Sequence, residues 1–305
     1  MDGEKMWMQL TLNGIIAGSI YALVALGFVL IYRTVRFFHL AHGGVYTAGT
    51  YAAYSTYMVL LKAGSNSIVL NLFFATIVGM IVAGILGVFI DRIVYYPLRK
   101  SFASDLIHLL ASFGVFVFIQ NFIQLIYGAQ ILTMRTWPVK EGHHILSAVI
   151  TNVQIVIIIT SIAVMSVLWF FVKKTKFGKA IRAVSDDPVG ASVVGINPEK
   201  TITIVFFIGS ALAGLAGTLV SLETNIEPSM GFNAILKGII AAIIGGIGSF
   251  PGAVLGGFLL GFAENFGIWK IQAGWKDTIA FVILILFLLF KPDGILGTKI
   301  KMEKD

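Results

Sequence analysis

The chain has 305 residues, of which 57% are hydrophobic and only 12% charged, against about 25% charged in an ordinary soluble domain. Surface-to-volume scaling leaves no way to hide that much apolar surface in a water-soluble globule, and a mean hydropathy of +0.91 points to lipid as the solvent. With no cysteine, disulfides, thiolate catalysis and Cys-based metal sites are excluded, and the net charge of +7 follows from where the basic residues fall, with no nucleic acid needed.

The start, Met1-Asp2-Gly3-Glu4-Lys5-Met6-Trp7, lacks a basic leader region and a small-residue cleavage site, so the first apolar run is expected to remain as a spanning helix. Crossing the hydrocarbon takes about 20 residues of helix. Runs of that kind predict helices at about 8–32, 44–61, 69–91, 106–127, 148–172, 201–222 and 277–290. The apolar stretch 234–268 is interrupted by glycines and Pro251, and reads as two short helices or a re-entrant pair. Open β structure would leave edge groups unsatisfied in lipid. The expected fold is therefore an all-α, polytopic membrane helix bundle occupying 1–305, with about 7 full transmembrane helices plus a broken or re-entrant pair.

Arg33 and Arg36 follow the first helix, Arg92, Arg99 and Lys100 the third, and Lys173, Lys174, Lys176, Lys179 and Arg182 the fifth. Lys200 closes that loop, and Lys291, Lys299, Lys301 and Lys304 follow the last helix, so these segments hold 15 of the 22 basic residues. Lys5, Lys62, Arg135, Lys140, Lys237, Lys270 and Lys276 fall to the alternate loops. The positive-inside rule then places the N-terminus outside and the C-terminus inside.

Small residues let helices approach in lipid, where apolar contact gives little. Gly14, Gly18 and Ala22 line one face of the first helix, Gly79, Ala83 and Gly87 one face of the third, and Gly209, Ala213 and Gly217 one face of the sixth. Gly248, Gly252 and Gly256 continue the spacing after the break. Polar groups inside spans are expensive and so informative. They are Gln120, Asn121 and Gln124 on the fourth helix, Glu264 and Asn265 near the outer end of the broken segment, and His39 and His42 just before the second helix. Tyr21, His42, Asn121 and Glu264 are candidates for a substrate pathway, each with packing as the plainer role. No Ser-His-Asp, HExxH or Walker A pattern is present, and Gly245-Gly246-Ile247-Gly248 lacks the Lys-Ser/Thr that a phosphate loop needs. No metal set and no catalytic residue is expected.

The inner loop 173–200 is the longest. Asp187 before Pro188 predicts a capped helix start, Gly195 a helix stop, and Asn197-Pro198 the next start. The loop therefore reads as helix-turn-helix with a short helix at about 188–194. Its apolar side suits either the lipid interface or a socket in a soluble partner.

Gly-Lys-Ala-Ile-Arg-Ala-Val-Ser-Asp-Asp-Pro-Val-Gly-Ala-Ser-Val-Val-Gly-Ile-Asn at 178–197 resembles the cytoplasmic loop of the branched-chain amino-acid ABC transporter permeases. Ala-His-Gly-Gly-Val-Tyr at 41–46 and Gly-Gly-Ile-Gly-Ser-Phe-Pro-Gly-Ala-Val-Leu-Gly-Gly at 245–257 are similar to two further motifs of that family, in the same order, and the short N-terminus looks like the smaller, H-type subunit. The resemblance implies a non-catalytic permease of a prokaryotic cell membrane that carries branched-chain or hydrophobic amino acids by alternating access. Urea or short amides are the alternative cargo within the family, and an ion-coupled secondary transporter is the alternative outside it. It implies a second permease subunit in a heterodimer, two cytoplasmic ATPase subunits that bind the ATP and Mg, an extracytoplasmic substrate-binding protein, and no cofactor in this chain. Gly178, Arg182, Asp186, Asp187, Pro188 and Gly195 would shape the loop that meets an ATPase.

Overall fold

The structure is a computed structural model and describes residues 3–137, 142–145 and 148–297. Lys140, Lys299, Lys301 and Lys304 of the charge pattern lie outside the described residues. Among the described residues, six helices are long and apolar enough to cross a membrane, or up to seven if a bent pair counts as one span. They are built from α1 (Gly3–Val35), α3 (Ile68–Ile90) continuing into α4 (Tyr96–Lys100), α5 (Asp105–Tyr127), α6 (Asn152–Lys174), α9 (Pro198–Ser221) and α12 (Lys276–Phe290).

The second predicted helix, α2 (Ala41–Lys62), is long enough but is not among the six. Its threonines and tyrosines lower its hydropathy, and the fold tolerates them because the bundle surrounds it. Thr47 and Thr50 are buried and donate to the Gly43 and Tyr46 carbonyls of their own helix. α2 packs against α3, α5, α9 and α10, whereas α1 packs against α9, α10 and α11. The apolar windows of α1 and α9 are each 78% buried, against 6% for α12, which places α1 and α9 at the centre and α12 at the rim.

Several boundaries differ from expectation for local reasons. The fifth predicted helix starts at Asn152, because Thr151 and Gln154 form a reciprocal capping box there. Residues 148–150 instead form β2 (Ala148–Ile150), paired antiparallel with β1 (His143–Ile145). Arg92, Arg99 and Lys100 lie on the helix, since a π-turn at Asp91–Tyr95 carries α3 straight into α4. His42 lies within α2.

The broken segment resolves into α10 (Met230–Gly245) and α11 (Phe250–Gly267), bent by 115°. Gly246 and Gly248 take φ of +108° and +91°, which only glycine adopts readily, and Ser249 caps α11 by accepting from the Gly252 amide. Gly248 is thus a turn residue and packs against nothing, unlike Gly252 and Gly256, which lie on the backbone of α10. The turn sits at the basic end of the bundle, where the Arg33 guanidinium lies 5.8 Å from the Phe250 ring. There the tail after α12 satisfies carbonyls at the end of α10: Ile295 and Leu296 donate their amides to Ile244 and Gly245.

The predicted glycine faces of α1, α3 and α9 are real contacts. A Cβ on Gly18 would lie 2.8 Å from the Phe258 Cα, and one on Gly209 would lie 2.8 Å from the Gly27 carbonyl. Where α2, α3 and α9 meet, Gly49, Gly79 and Gly214 touch through backbone. Gly49→Val should cost about 3 kcal/mol or more by forcing that crossing apart. Gly114→Val, where a side chain meets open space, should leave the unfolding temperature of the detergent-purified chain unchanged.

Candidate functional site

The 173–200 loop folds as two helices that hang from the bundle by specific bonds. Thr175 ends α6 and caps α7 (Lys176–Asp186), accepting from the Gly178 amide at 3.0 Å. Gly178 lies so close to the Phe171 and Val172 carbonyls that no Cβ fits. Arg182 donates to the same Val172 carbonyl, which the end of α6 would otherwise leave open. Asp187 caps α8 (Pro188–Val193) by accepting from the Val189 amide at 2.9 Å, with Pro188 at the helix start. Gly195, at φ +85°, ends the turn, and Asn197 caps α9 through the Lys200 amide. Gly178, Arg182, Asp187, Pro188 and Gly195 therefore each have a definite part in shaping this hairpin.

The hairpin is tied to the end of α1. Arg36, itself in the left-handed region at φ +64°, donates to the Ser185 carbonyl at 2.6 Å. The Thr34 and Ser185 hydroxyls lie 3.5 Å apart, and Arg33 faces the exposed Asp186 at 3.8 Å. α8 then presents Val189, Val193 and Val194 to solvent, each at least 74% exposed. Apolar side chains held outward on a short, capped helix are suited to a pocket on another protein.

Toward the opposite end, the structure brings two of the four pathway candidates together. Tyr21 donates to the fully buried Glu264 at 2.7 Å, and Lys237 donates to the other Glu264 oxygen at 2.6 Å. Lys237 also pairs with Asp277 at 2.8 Å and lies 5.4 Å from the Tyr21 ring centre. These four side chains join α1, α10, α11 and α12. Lys237, assigned to a loop by the charge pattern, is instead in the middle of α10. The readable signal was one lysine within a long apolar run whose other charge is Glu264. The other two candidates stand apart. Asn121 is exposed on α5 and donates only to the Val117 carbonyl of its own helix. His42 is buried against Gly27, beside His39, whose Nδ1 shares a 2.8 Å hydrogen bond with the Tyr95 hydroxyl. A second ionic group ties α3–α4 to α9: Arg99 reaches the buried Asp91 at 2.7 Å and Glu199 at 3.1 Å. Among the described residues no three His, Asp or Glu side chains are grouped to hold a metal.

Comparison with known proteins places this arrangement in a transport family. The family described as "branched-chain amino acid transport system / permease component" matches residues 10–288. The chain belongs to this family. It is 37% identical over 296 residues to the high-affinity branched-chain amino acid transport system permease protein BraD of Pseudomonas aeruginosa, covering 95% of this chain and 96% of that one. It is 35% identical over 297 residues to the corresponding LivH protein of Escherichia coli K12, with the same coverage. A probable LivH from Methanocaldococcus jannaschii is 28% identical over 312 residues, covering 99% and 95%. In fold it is similar to a chain of PsaBC from Streptococcus pneumoniae in complex with Fab, at TM-score 0.52 and 13% identity, covering 94% and 92%. The chain is thus a multi-pass inner-membrane permease component of an importer family, a transport class distinct from catalytic enzymes.

Removing Lys237 would leave Glu264 as an uncompensated buried charge, and breaking a buried pair costs about 3–5 kcal/mol. Lys237→Met should lower the unfolding temperature of the purified chain. Adding Glu264→Gln should restore part of the loss, because no lone charge then remains.

Proposed function

We propose that this chain forms the translocation pathway for branched-chain or other hydrophobic amino acids in an ATP-driven importer. The N-terminus lies outside the cell and the C-terminus inside. Its companions are a second permease in a heterodimer, two cytoplasmic ATPases that bind ATP and Mg, and an external protein that delivers the substrate. The reading is supported by the names of the BraD and LivH relatives and, within the molecule, by the inner hairpin.

The observation that carries it is the mounting of α8. An ATPase can shift the permease only through contacts that differ between its two states. Val189, Val193 and Val194 offer the contact. The bonds from Arg36 and Thr34 to Ser185, and from Arg182 to the end of α6, make the hairpin move with α1 and α6. A push on α8 is therefore delivered to the central helix of the bundle. Gly178, Asp187, Pro188 and Gly195 keep the hairpin in the shape that transmits it. Asp186, through Arg33, adds a surface tie of small energy.

The test is the ATPase activity of the reconstituted transporter with its binding protein. Leucine-loaded binding protein should stimulate hydrolysis, and urea should not substitute for leucine. Val193→Asp removes about 1.5–3 kcal/mol of apolar burial from the contact, so ATPase affinity should fall tenfold or more. Stimulation that survives Val193→Asp and Asp187→Ala unchanged would refute the coupling role of α8.

A further inference from the structure

The basic end of α6 carries a second feature that coupling does not use. α6 packs chiefly against α1 and α7 and leaves a broad apolar face outward, including Val167, Trp169 and Phe170, each close to half exposed or more. On that face Met165, Ser166, Trp169 and Phe170 line a groove of about 510 Å³. Its walls are almost wholly apolar, and the Ser166 hydroxyl is engaged by the Ile162 carbonyl at 2.7 Å. This open, shallow surface suits hydrocarbon.

One turn further on, Lys173 stands with its Nζ 4.7 Å from the Trp169 ring centre. Lys174, Lys176 and Lys179 follow, and all four lysines are exposed. None forms an ion pair among the described residues, and Asp186 at the end of α7 faces Arg33 instead. A zwitterionic lipid would fill the groove but leave four cations uncompensated. A soluble polyphosphate would meet the cations and leave the groove empty. Only an amphiphile with an anionic head and an acyl chain satisfies both halves.

We propose that the basic end of α6 is a binding site for an anionic phospholipid, its chain in the groove of Met165, Trp169 and Phe170 and its headgroup held by Lys173, Lys174, Lys176 and Lys179. Because α6 turns directly into α7, the lipid braces the root of the inner hairpin. The site depends on the chain lying in a membrane and is independent of the cargo.

Trp169 provides the readout. Trp7, Trp137, Trp269 and Trp275 belong to the opposite end of the bundle or its connecting segments, so the emission lost in Trp169→Phe isolates the groove. The full chain is reconstituted in phosphatidylcholine vesicles with graded amounts of brominated phosphatidylglycerol, and in the reverse mixture with brominated phosphatidylcholine. The Trp169 component should be quenched preferentially by the brominated phosphatidylglycerol. The preference should fall about fivefold for each lysine replaced by glutamine, and reach parity in K173Q/K174Q/K176Q/K179Q. Should that variant fail to fold, K174Q/K176Q keeps the lysine over Trp169 and should still lose most of the preference, with quenching of the other four tryptophans unchanged. Equal quenching by the two lipids in the unaltered chain, or a preference that survives K174Q/K176Q, overturns the site.

Discussion

Helices in hydrocarbon gain almost nothing by covering apolar side chains, because lipid tails cover them equally well. Association has to come from surfaces close enough for dispersion to count, and that closeness is set by residues without a Cβ. Gly14, Gly18, Gly257 and Gly261 put α1 against α11, and Gly27 with Gly209 puts α1 against α9. Gly49, Gly79 and Gly214 make the three-way crossing of α2, α3 and α9. The central position of α1 and α9 follows from these contacts, and so does the position of everything attached to them. Any larger side chain at the crossings moves backbone, and neighbouring side chains cannot absorb the change.

Charge then fixes what close packing leaves free. The Tyr21–Glu264–Lys237–Asp277 group ties α12, the least buried span, to α1, α10 and α11. Near the other end, Arg99 ties α3–α4 to α9 through Asp91 and Glu199. The α7–α8 hairpin is attached to the end of α1 by Arg36 and to α6 by Arg182, both through backbone carbonyls. These bonds depend on backbone position, so the hairpin is held in one orientation relative to the central helix. The proposed coupling of movement through the hairpin would need that stiffness.

Much of this was readable from residue order alone. Apolar run length gave the spans, and the Asp187-Pro188 and Asn197-Pro198 pairs gave helix starts that the structure places at those residues. The small-residue spacing named the faces of α1, α3 and α9 that pack. Local chemistry that competes with a hydropathy window was harder to see. Thr151 with Gln154 moved a helix start by several residues, and a π-turn at Asp91 carried basic residues onto a helix that had been counted as loop. The ionic group around Glu264 was half legible. Glu264 and Tyr21 stood out as polar groups in apolar runs, whereas Lys237 was masked by its assignment to a loop. That His42 and Asn121 lie outside the Glu264 group is a matter of tertiary placement, which no local pattern encodes.

The polar character of α2 also bears on how the chain is made. Helices enter the bilayer during synthesis in proportion to their own apolarity, and α2, with its buried threonines, tyrosines and His42, offers less than its neighbours. Its residence in the membrane depends on protein surroundings supplied partly by α3 and α5, made soon after it, and partly by α9 and α10, which emerge more than a hundred residues later. The helix after the first arginine-marked turn thus gains its full set of partners only late in synthesis. Final assembly of the bundle waits on segments near the far end of the chain, which makes completion of synthesis a condition for a settled interior.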